Sequence, residues 1–362
     1  MSKTLQGFLR IERAQELLEA GRPREALRLL ERPLPAGLAA QRDFLRAESL
    51  RAQGYLGRAA RLYRGLLGRA PERDTALWLD SCLALAGALR SLGQAGVARR
   101  ILRAGRGVLR RQGLGGSREA FELEEALVER AAGLYPQSLK KLGRLLEAFR
   151  GRRDRSGTGF VLWACGGARR FSGDLAGSER DFRASLASFR RARDPGGVAY
   201  ALMGLGGVLR IRGKLRQARD RYAEAARLLK TSPDLFARAY ALCGLGNVLR
   251  QMGDFIGARR RYLLSSVLYA RLEDWVDLAY VDWGLGQVAL HQGNLEGSGK
   301  FFREALSAFK SGGETRGQVL AELSLAGLLH ARGRARQAEE LFRKACLRAR
   351  KAGLHTHLEV LT

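Results

Sequence analysis

Six arginines, Arg51, Arg90, Arg130, Arg170, Arg210 and Arg250, recur along the chain at steps of 39 and then 40 residues. A guanidinium offers forked donors that suit carboxylates and phosphates. Placed at the same point of successive parallel helices, the six make a ladder of cations. A second chemistry runs beside it. Phe160, Trp163, Tyr200, Tyr240, Tyr280 and Trp283 form an aromatic stripe with Met203 and Cys243 between them. Gly87, Gly167, Gly207 and Gly327 share one further position, filled elsewhere by Asn247 and Gln287. Glycine costs about 1 kcal/mol of helix propensity, so its repeated use points to a close approach of backbone. Cations, aromatic faces and open space together describe a binding surface. Each signal also has a structural explanation. Arginine in the last turn of a helix favours the dipole, worth about 0.3–1 kcal/mol per site. Tyr200, Tyr240 and Tyr280 could equally pack between helices.

The elements that position these residues follow from an internal repeat. Ala199-Tyr-Ala-Leu-Met-Gly-Leu-Gly-Gly-Val-Leu-Arg is echoed by Ala239-Tyr-Ala-Leu-Cys-Gly-Leu-Gly-Asn-Val-Leu-Arg, and again from Ala279. One glycine marks the register: Gly21, Gly54, Gly93, Gly133, Gly173, Gly213, Gly253, Gly293 and Gly333. Five residues after each stands a small residue, as in Ser138, Ser178 and Ala218, and four further a large apolar one, as in Phe182, Tyr222, Tyr262 and Phe302. Seven before it is another small one, as in Ala126, Gly166, Gly206 and Gly246. The pattern predicts a helical hairpin whose first helix ends at the marker glycine, with small residues allowing close helix approach. One hairpin leaves apolar surface exposed, so hairpins must stack. The seven prolines stand at segment edges or in the first loop, which agrees with an all-α chain.

The small–Gly–small–aromatic series, as in Leu205-Gly206, Gly213, Ala218, Tyr222 and Ala225, resembles the tetratricopeptide repeat. Its 40-residue spacing is similar to the extended variety in Pins-type polarity adaptors and kinesin light chains. The resemblance implies an all-α, right-handed superhelical solenoid of about nine hairpins over residues 7–358. The repeats fall near 7–39, 40–78, 79–118, 119–158, 159–198, 199–238, 239–278, 279–318 and 319–358. Tails of 1–6 and 359–362 remain. The early copies depart most: Pro33 replaces a small residue, and Pro71 matches the family's closing proline. The resemblance also implies that the first helix of each hairpin lines a concave groove. Its positions 2, 5, 9, 12 and 13, which share a helix face by spacing, would carry the arginine ladder and the aromatic stripe inward.

Composition narrows the partner. Lys plus Arg is 64 against 36 Asp plus Glu, a formal net charge of +28, and 55 of the 64 are arginine. Such an excess attracts polyanions and acidic partners, although arginine beside alanine, glycine and leucine is also what GC-rich codon usage gives. Basic runs at Arg110-Arg111, Arg152-Arg153-Asp154-Arg155 and Arg190-Arg191-Ala192-Arg193 fit solvated edges or a positive rim. Cys82, Cys165, Cys243 and Cys346 lie far apart without metal or disulfide spacing. No apolar run reaches membrane-spanning length, so a cytoplasmic protein is expected. His355-Thr-His357 lacks further ligands, and Gly113-Leu-Gly115-Gly116 lacks the lysine of a phosphate loop and reads as a linker. No cofactor, metal or catalytic set is expected, and the chain is not expected to be an enzyme. The expectation is an adaptor holding a protein segment, acidic with apolar anchors. The alternatives are RNA or DNA binding, with arginines on phosphates and aromatics stacking bases, and a peptide-sensing regulatory module.

Overall fold

The computed structural model describes residues 3–69, 74–114, 117–352 and 354. Pro71, Gly115, Gly116, His355 and His357 lie outside the described residues, as do 359–362. Among the described residues there are eighteen α-helices, one short 3-10 turn at Ala36–Leu38, and no strand. Two compact units divide the chain: Met1–Ala148 with Thr231–Leu235, and Phe149–Lys230 with Phe236–Thr362.

The first unit holds α1 (Lys3–Glu19), α2 (Pro23–Leu30), α3 (Ala39–Ala52), α4 (Leu56–Leu67), α5 (Thr75–Ser91), α6 (Ala95–Arg111), α7 (Arg118–Ala131) and most of α8 (Tyr135–Gly151). The second holds α9 (Arg155–Ser172), α10 (Leu175–Ala192), α11 (Pro195–Ile211), α12 (Leu215–Leu228), α13 (Leu235–Gln251), α14 (Phe255–Leu272), α15 (Trp275–His291), α16 (Leu295–Ser311), α17 (Thr315–Ala331) and α18 (Ala335–Lys351). Odd-numbered helices open hairpins and even-numbered ones close them.

The turn within each hairpin is set by the marker glycine. All nine take left-handed backbone, with φ between +69° and +92°, a region costly for any side chain with a Cβ. At Gly213 the ending carries a Schellman bond, the Lys214 N–H donating to the Leu209 carbonyl at 2.9 Å. The small residues then join the two helices. Ser138 Oγ donates to the Ala126 carbonyl and Ser178 Oγ to the Gly166 carbonyl, each at 2.7 Å and each across the hairpin. A hydroxyl satisfies an internal helix carbonyl only if the helices nearly touch, which the glycine and alanine opposite permit.

Stacking between hairpins rests on rings seated on glycine. In the second unit the large apolar position supplies Phe182, Tyr222, Tyr262 and Phe302, all at most 3% exposed. Each ring covers a glycine of its own first helix. A Cβ added at Gly166, Gly206, Gly246 or Gly286 would come within 3.1, 2.8, 2.9 and 2.6 Å of the respective ring. The other edge of the ring meets the next hairpin: Phe182 covers Gly204, Tyr222 covers Gly244 and Tyr262 covers Gly284. Phe182, Tyr222 and Tyr262 are thus each clamped between two helix backbones. A second clamp acts at the start of three first helices, where Phe149, Phe189 and Phe309 cover Gly157, Gly197 and Gly317. Both clamps fill the interior at the density of packed side chains without side chains on one wall.

Two substitutions test the clamp. Gly284→Ala places a methyl 2.6 Å from Tyr262 Cζ and should lower stability by about 1–3 kcal/mol. Gly143→Ala, in a helix interior with nothing within 4 Å, should raise it by up to about 1 kcal/mol. Thermal melts of the two variants should move in opposite directions; a melt unchanged by Gly284→Ala would mean that the ring is not held there.

Candidate functional site

The interlock opens at one place in the second unit. Position for position, Gly157, Gly197, Ala237 and Gly317 are answered by Asp277, and the covering Phe149, Phe189, Leu229 and Phe309 by Tyr269. The apolar ring on a bare backbone is here a phenol against a carboxyl. A cavity of about 160 Å³ lies at this point. Its cations are Arg170 from α9, Arg210 from α11, Arg250 from α13 and Arg316 from α17. Tyr240, Cys243 and Asn247 of α13, and Asp277, Tyr280 and Trp283 of α15, complete its main lining, with Tyr222 and Tyr269 reaching in from second helices. Four arginines therefore face a single lining acid.

Three of the four cations lie against aromatic rings. Arg170 Cζ lies 4.6 Å from the Phe171 ring centroid, and Arg250 Cζ lies 5.4 Å from that of Trp283. Arg316 Cζ lies 5.9 Å from both the Phe171 and Tyr280 rings. Phe171 and Arg316 are 145 residues apart in sequence, so α9 and α17 meet across the first helices that separate them. The cavity is bounded on that side. Arg170 also explains one glycine, because its guanidinium occupies the place where a Cβ of Gly207 would stand, at 2.5 Å. The Nε groups of Arg170 and Arg250 are buried without a hydrogen-bond partner. A buried unpaired donor on a cation is costly.

The remaining polar groups are fixed by neighbours. Tyr262 Oη donates to Asn247 Oδ1 at 2.9 Å. Tyr280 Oη donates to Glu314 Oε1 at 2.9 Å. Trp283 Nε1 and Gln287 Nε2 both donate to Ser324 Oγ, at 2.8 and 2.7 Å, and Ser324 donates its own proton to the Leu320 carbonyl. Burial pushes the Cys243 thiol up to about 12, so it stays protonated. Burial, reinforced by the carboxylates of Asp274 and Glu314, pushes Asp277 up to about 8. At neutral pH Asp277 is then mainly protonated and offsets little of the arginine charge. Among the described residues, no group of three or more His, Cys, Asp or Glu is placed to hold a metal, and no helix is long and apolar enough to cross a membrane.

The structure gathers eight of the binding-surface residues singled out from sequence at this cavity: Arg170, Arg210, Arg250, Tyr240, Cys243, Asn247, Tyr280 and Trp283. Phe160, Trp163 and Tyr200 form a separate chain of rings, with centroids 5.7 and 6.0 Å apart. Met203 is 1% exposed within the apolar core. The ladder's lower rungs belong to the first unit. Arg51 pairs with Glu48 at 2.5 Å, Arg90 pairs with Glu124 at 2.8 Å, and Arg130 is half-buried at the end of α7. Asp277 and Arg316 escape a reading of the groove positions because they precede the repeat start. A signal for them exists nonetheless. At the Arg316 position the other repeats carry Ser156, Gly196, Phe236 and Val276, so both charges interrupt a small or apolar column.

The tetratricopeptide repeat family matches residues 275–351, the hairpins α15–α18. No curated protein sequence matches the chain. Among solved structures, a Rap protein complexed with competence and sporulation factor is similar over 97% of this chain and 99% of its own, with a TM-score of 0.72 and 12% identity. The apo form of RapI is similar over 75% of this chain and 98% of its own, with a TM-score of 0.59 and 15% identity. At these identities the likeness is one of fold, a stack of tetratricopeptide-type hairpins.

The state of Asp277 has a measurable consequence. An unfolded aspartate titrates near about 3.9, and the folded one near about 8. Between those values the folded chain holds the extra proton, so stability falls as pH rises through the window and levels off above 8. Asp277→Asn removes that slope. Melting curves from about pH 5 to 9 should show the variant gaining on the native chain as pH rises; parallel curves would mean that Asp277 is already ionised at the acid end.

Proposed function

We propose that this tetratricopeptide-type repeat protein is a non-enzymatic adaptor that holds a segment of a partner protein through the cavity of its second unit. The segment is acidic with apolar anchors. One observation carries this: four arginines converge on one cavity whose lining acid is mainly protonated, with the Nε donors of Arg170 and Arg250 buried and unpaired. A carboxylate side chain from the partner supplies the countercharge that the four lining arginines lack. Tyr240 and Tyr280, both half-buried at the cavity, offer rings to an apolar neighbour on the same segment. Trp283 works behind them, since its face is already covered by Arg250 and its N–H by Ser324.

A protein segment suits the site better than a nucleic-acid strand. A phosphate backbone needs cations repeated along an open track. Here Arg170, Arg210 and Arg250 converge on one bounded cavity, while Arg51 and Arg90 are neutralised by Glu48 and Glu124. Convergence favours one or two carboxylates, not a chain of phosphates. The fold is compatible with holding a segment: the Rap protein that is similar over almost the whole length was solved complexed with competence and sporulation factor.

Titration of a fluorescent peptide in which aspartates and glutamates alternate with leucine and phenylalanine tests the proposal. Arg210→Glu with Arg250→Glu should weaken binding at least about tenfold, as expected for loss of buried charge pairs. Arg51→Gln, whose native charge is already paired, should change little. Equal losses from both variants, or tighter binding of a single-stranded oligonucleotide than of the peptide, would overturn it.

A further inference from the structure

A second surface lies on α14, on the side of the helix turned away from the core. Ile256 is 81% exposed and Val267 67%, with Leu263 and Leu264 at 44% and 46%. Their spacing of seven, eight and eleven residues puts them on one helix face, a stripe about 16 Å long at about 1.5 Å per residue. The repeat does not require this. Forty residues either way and eighty before, the Ile256 position holds Ala176, Arg216 and Glu296, and the Val267 position holds Ala187, Arg227 and Ser307. Hairpins on both sides are therefore built with charged or small residues there, although α18, eighty residues after, pairs Arg336 with an exposed Leu347. Four exposed apolar side chains on one face of one helix, where the neighbouring α12 exposes only Leu228 and α16 none, mark an interaction surface.

The charge around the stripe selects its occupant. Helix α14 carries Arg259, Arg260, Arg261 and Arg271 and no acid. Two copies of this face would bring both sets of arginines together, which disfavours self-association. A flat anionic membrane resting here would also meet Glu224 of α12 and Glu296 and Glu304 of α16 on the neighbouring closing helices. The stripe, with Arg259 and Arg261 on either side and Arg260 within it, matches a helix of the same width whose apolar ridge is accompanied by acids. We infer that the outer face of α14 docks an amphipathic helix of a partner protein whose apolar stripe is flanked by glutamates or aspartates. This surface is separate from the cavity, because its four side chains do not line it.

The experiment uses the full chain and a fluorescein-labelled helical peptide of about five turns, with leucines along one face and glutamates on both borders. A version with lysine borders is the charge control. The triple variant Ile256→Glu, Leu264→Glu and Val267→Ser installs the residues found in α16, so the fold is expected to be kept, as circular dichroism and a thermal melt verify. The glutamate-bordered peptide should bind the native chain and lose at least about tenfold in affinity on the triple variant. The cavity variant Arg210→Glu with Arg250→Glu should bind it as the native chain does, and the lysine-bordered peptide should bind weakly or not at all. Undiminished binding to the triple variant overturns the proposal. So does equal binding of the lysine-bordered peptide, or loss of binding in the cavity variant alone. Two further results would overturn it by reassigning the face: co-pelleting with phosphatidylglycerol vesicles that the triple variant loses, or a dimer in sedimentation equilibrium that the triple variant dissolves.

Discussion

An aromatic ring clamped between two bare helix backbones is the contact on which the second unit depends. Phe182, Tyr222 and Tyr262 each sit on a glycine of their own hairpin and reach a glycine of the next. Because the ring fixes both spacings at once, one side chain sets the helix separation inside a hairpin and the separation between hairpins. The cost is glycine inside helices, about 1 kcal/mol each in propensity, offset by burying roughly 150–250 Å² per aromatic residue. Regularity follows: residues forty apart in sequence become neighbours, and a cation at one position becomes a column.

The cavity is a consequence of relaxing that rule once. Where Tyr269 and Asp277 replace an aromatic ring on glycine, two polar groups enter a place that other hairpins fill with carbon. Asp277 is buried enough to stay mainly protonated, so it offers the arginines opposite little countercharge. Structural arginines behave differently. In the first unit Arg51 and Arg90 have carboxylate partners at 2.5 and 2.8 Å, and in the second the buried Glu179 accepts ion pairs from Arg183, Arg212 and Lys214. A basic chain with 36 acids for 64 bases cannot pair every cation. The four arginines facing Asp277 are gathered, not scattered, and a gathered set is what a ligand can use.

The hairpin was legible in the sequence to a degree that the site was not. The marker glycines needed only local geometry, and all nine take left-handed dihedrals. The four-point small and large pattern encoded the clamp itself. The site depended on which members of a repeated column had found partners, and a partner such as Glu124 for Arg90 stands 34 residues away. Repetition therefore announced six equivalent arginines where packing brings three of them to one cavity. Met203 went into the core for a related reason: helix spacing alone could not tell whether a thioether beside Tyr200 faces a groove or the next hairpin. Arg316 and Asp277 were legible only as interruptions, charges in columns otherwise small or apolar.

Interruption is the more informative signal in a repeat protein. A residue shared by every copy answers to the fold, because each hairpin must meet the same neighbours. Departures from the shared column are free of that demand, or act against it, and need another cause. Asp277 and Tyr269 depart toward polarity in the interior, while Ile256 and Val267 depart toward apolarity on the exterior. Both act against burial preferences, and α14 and α15 carry them all. Two departures of opposite sense on adjacent helices, one lining a cavity and one facing outward, are difficult to attribute to drift in a stacking pattern that otherwise holds through Phe309 and Gly317. The proposed recognition surfaces therefore both lie where α14 and α15 depart from the stacking rule, the inner one through charge and the outer one through apolar area.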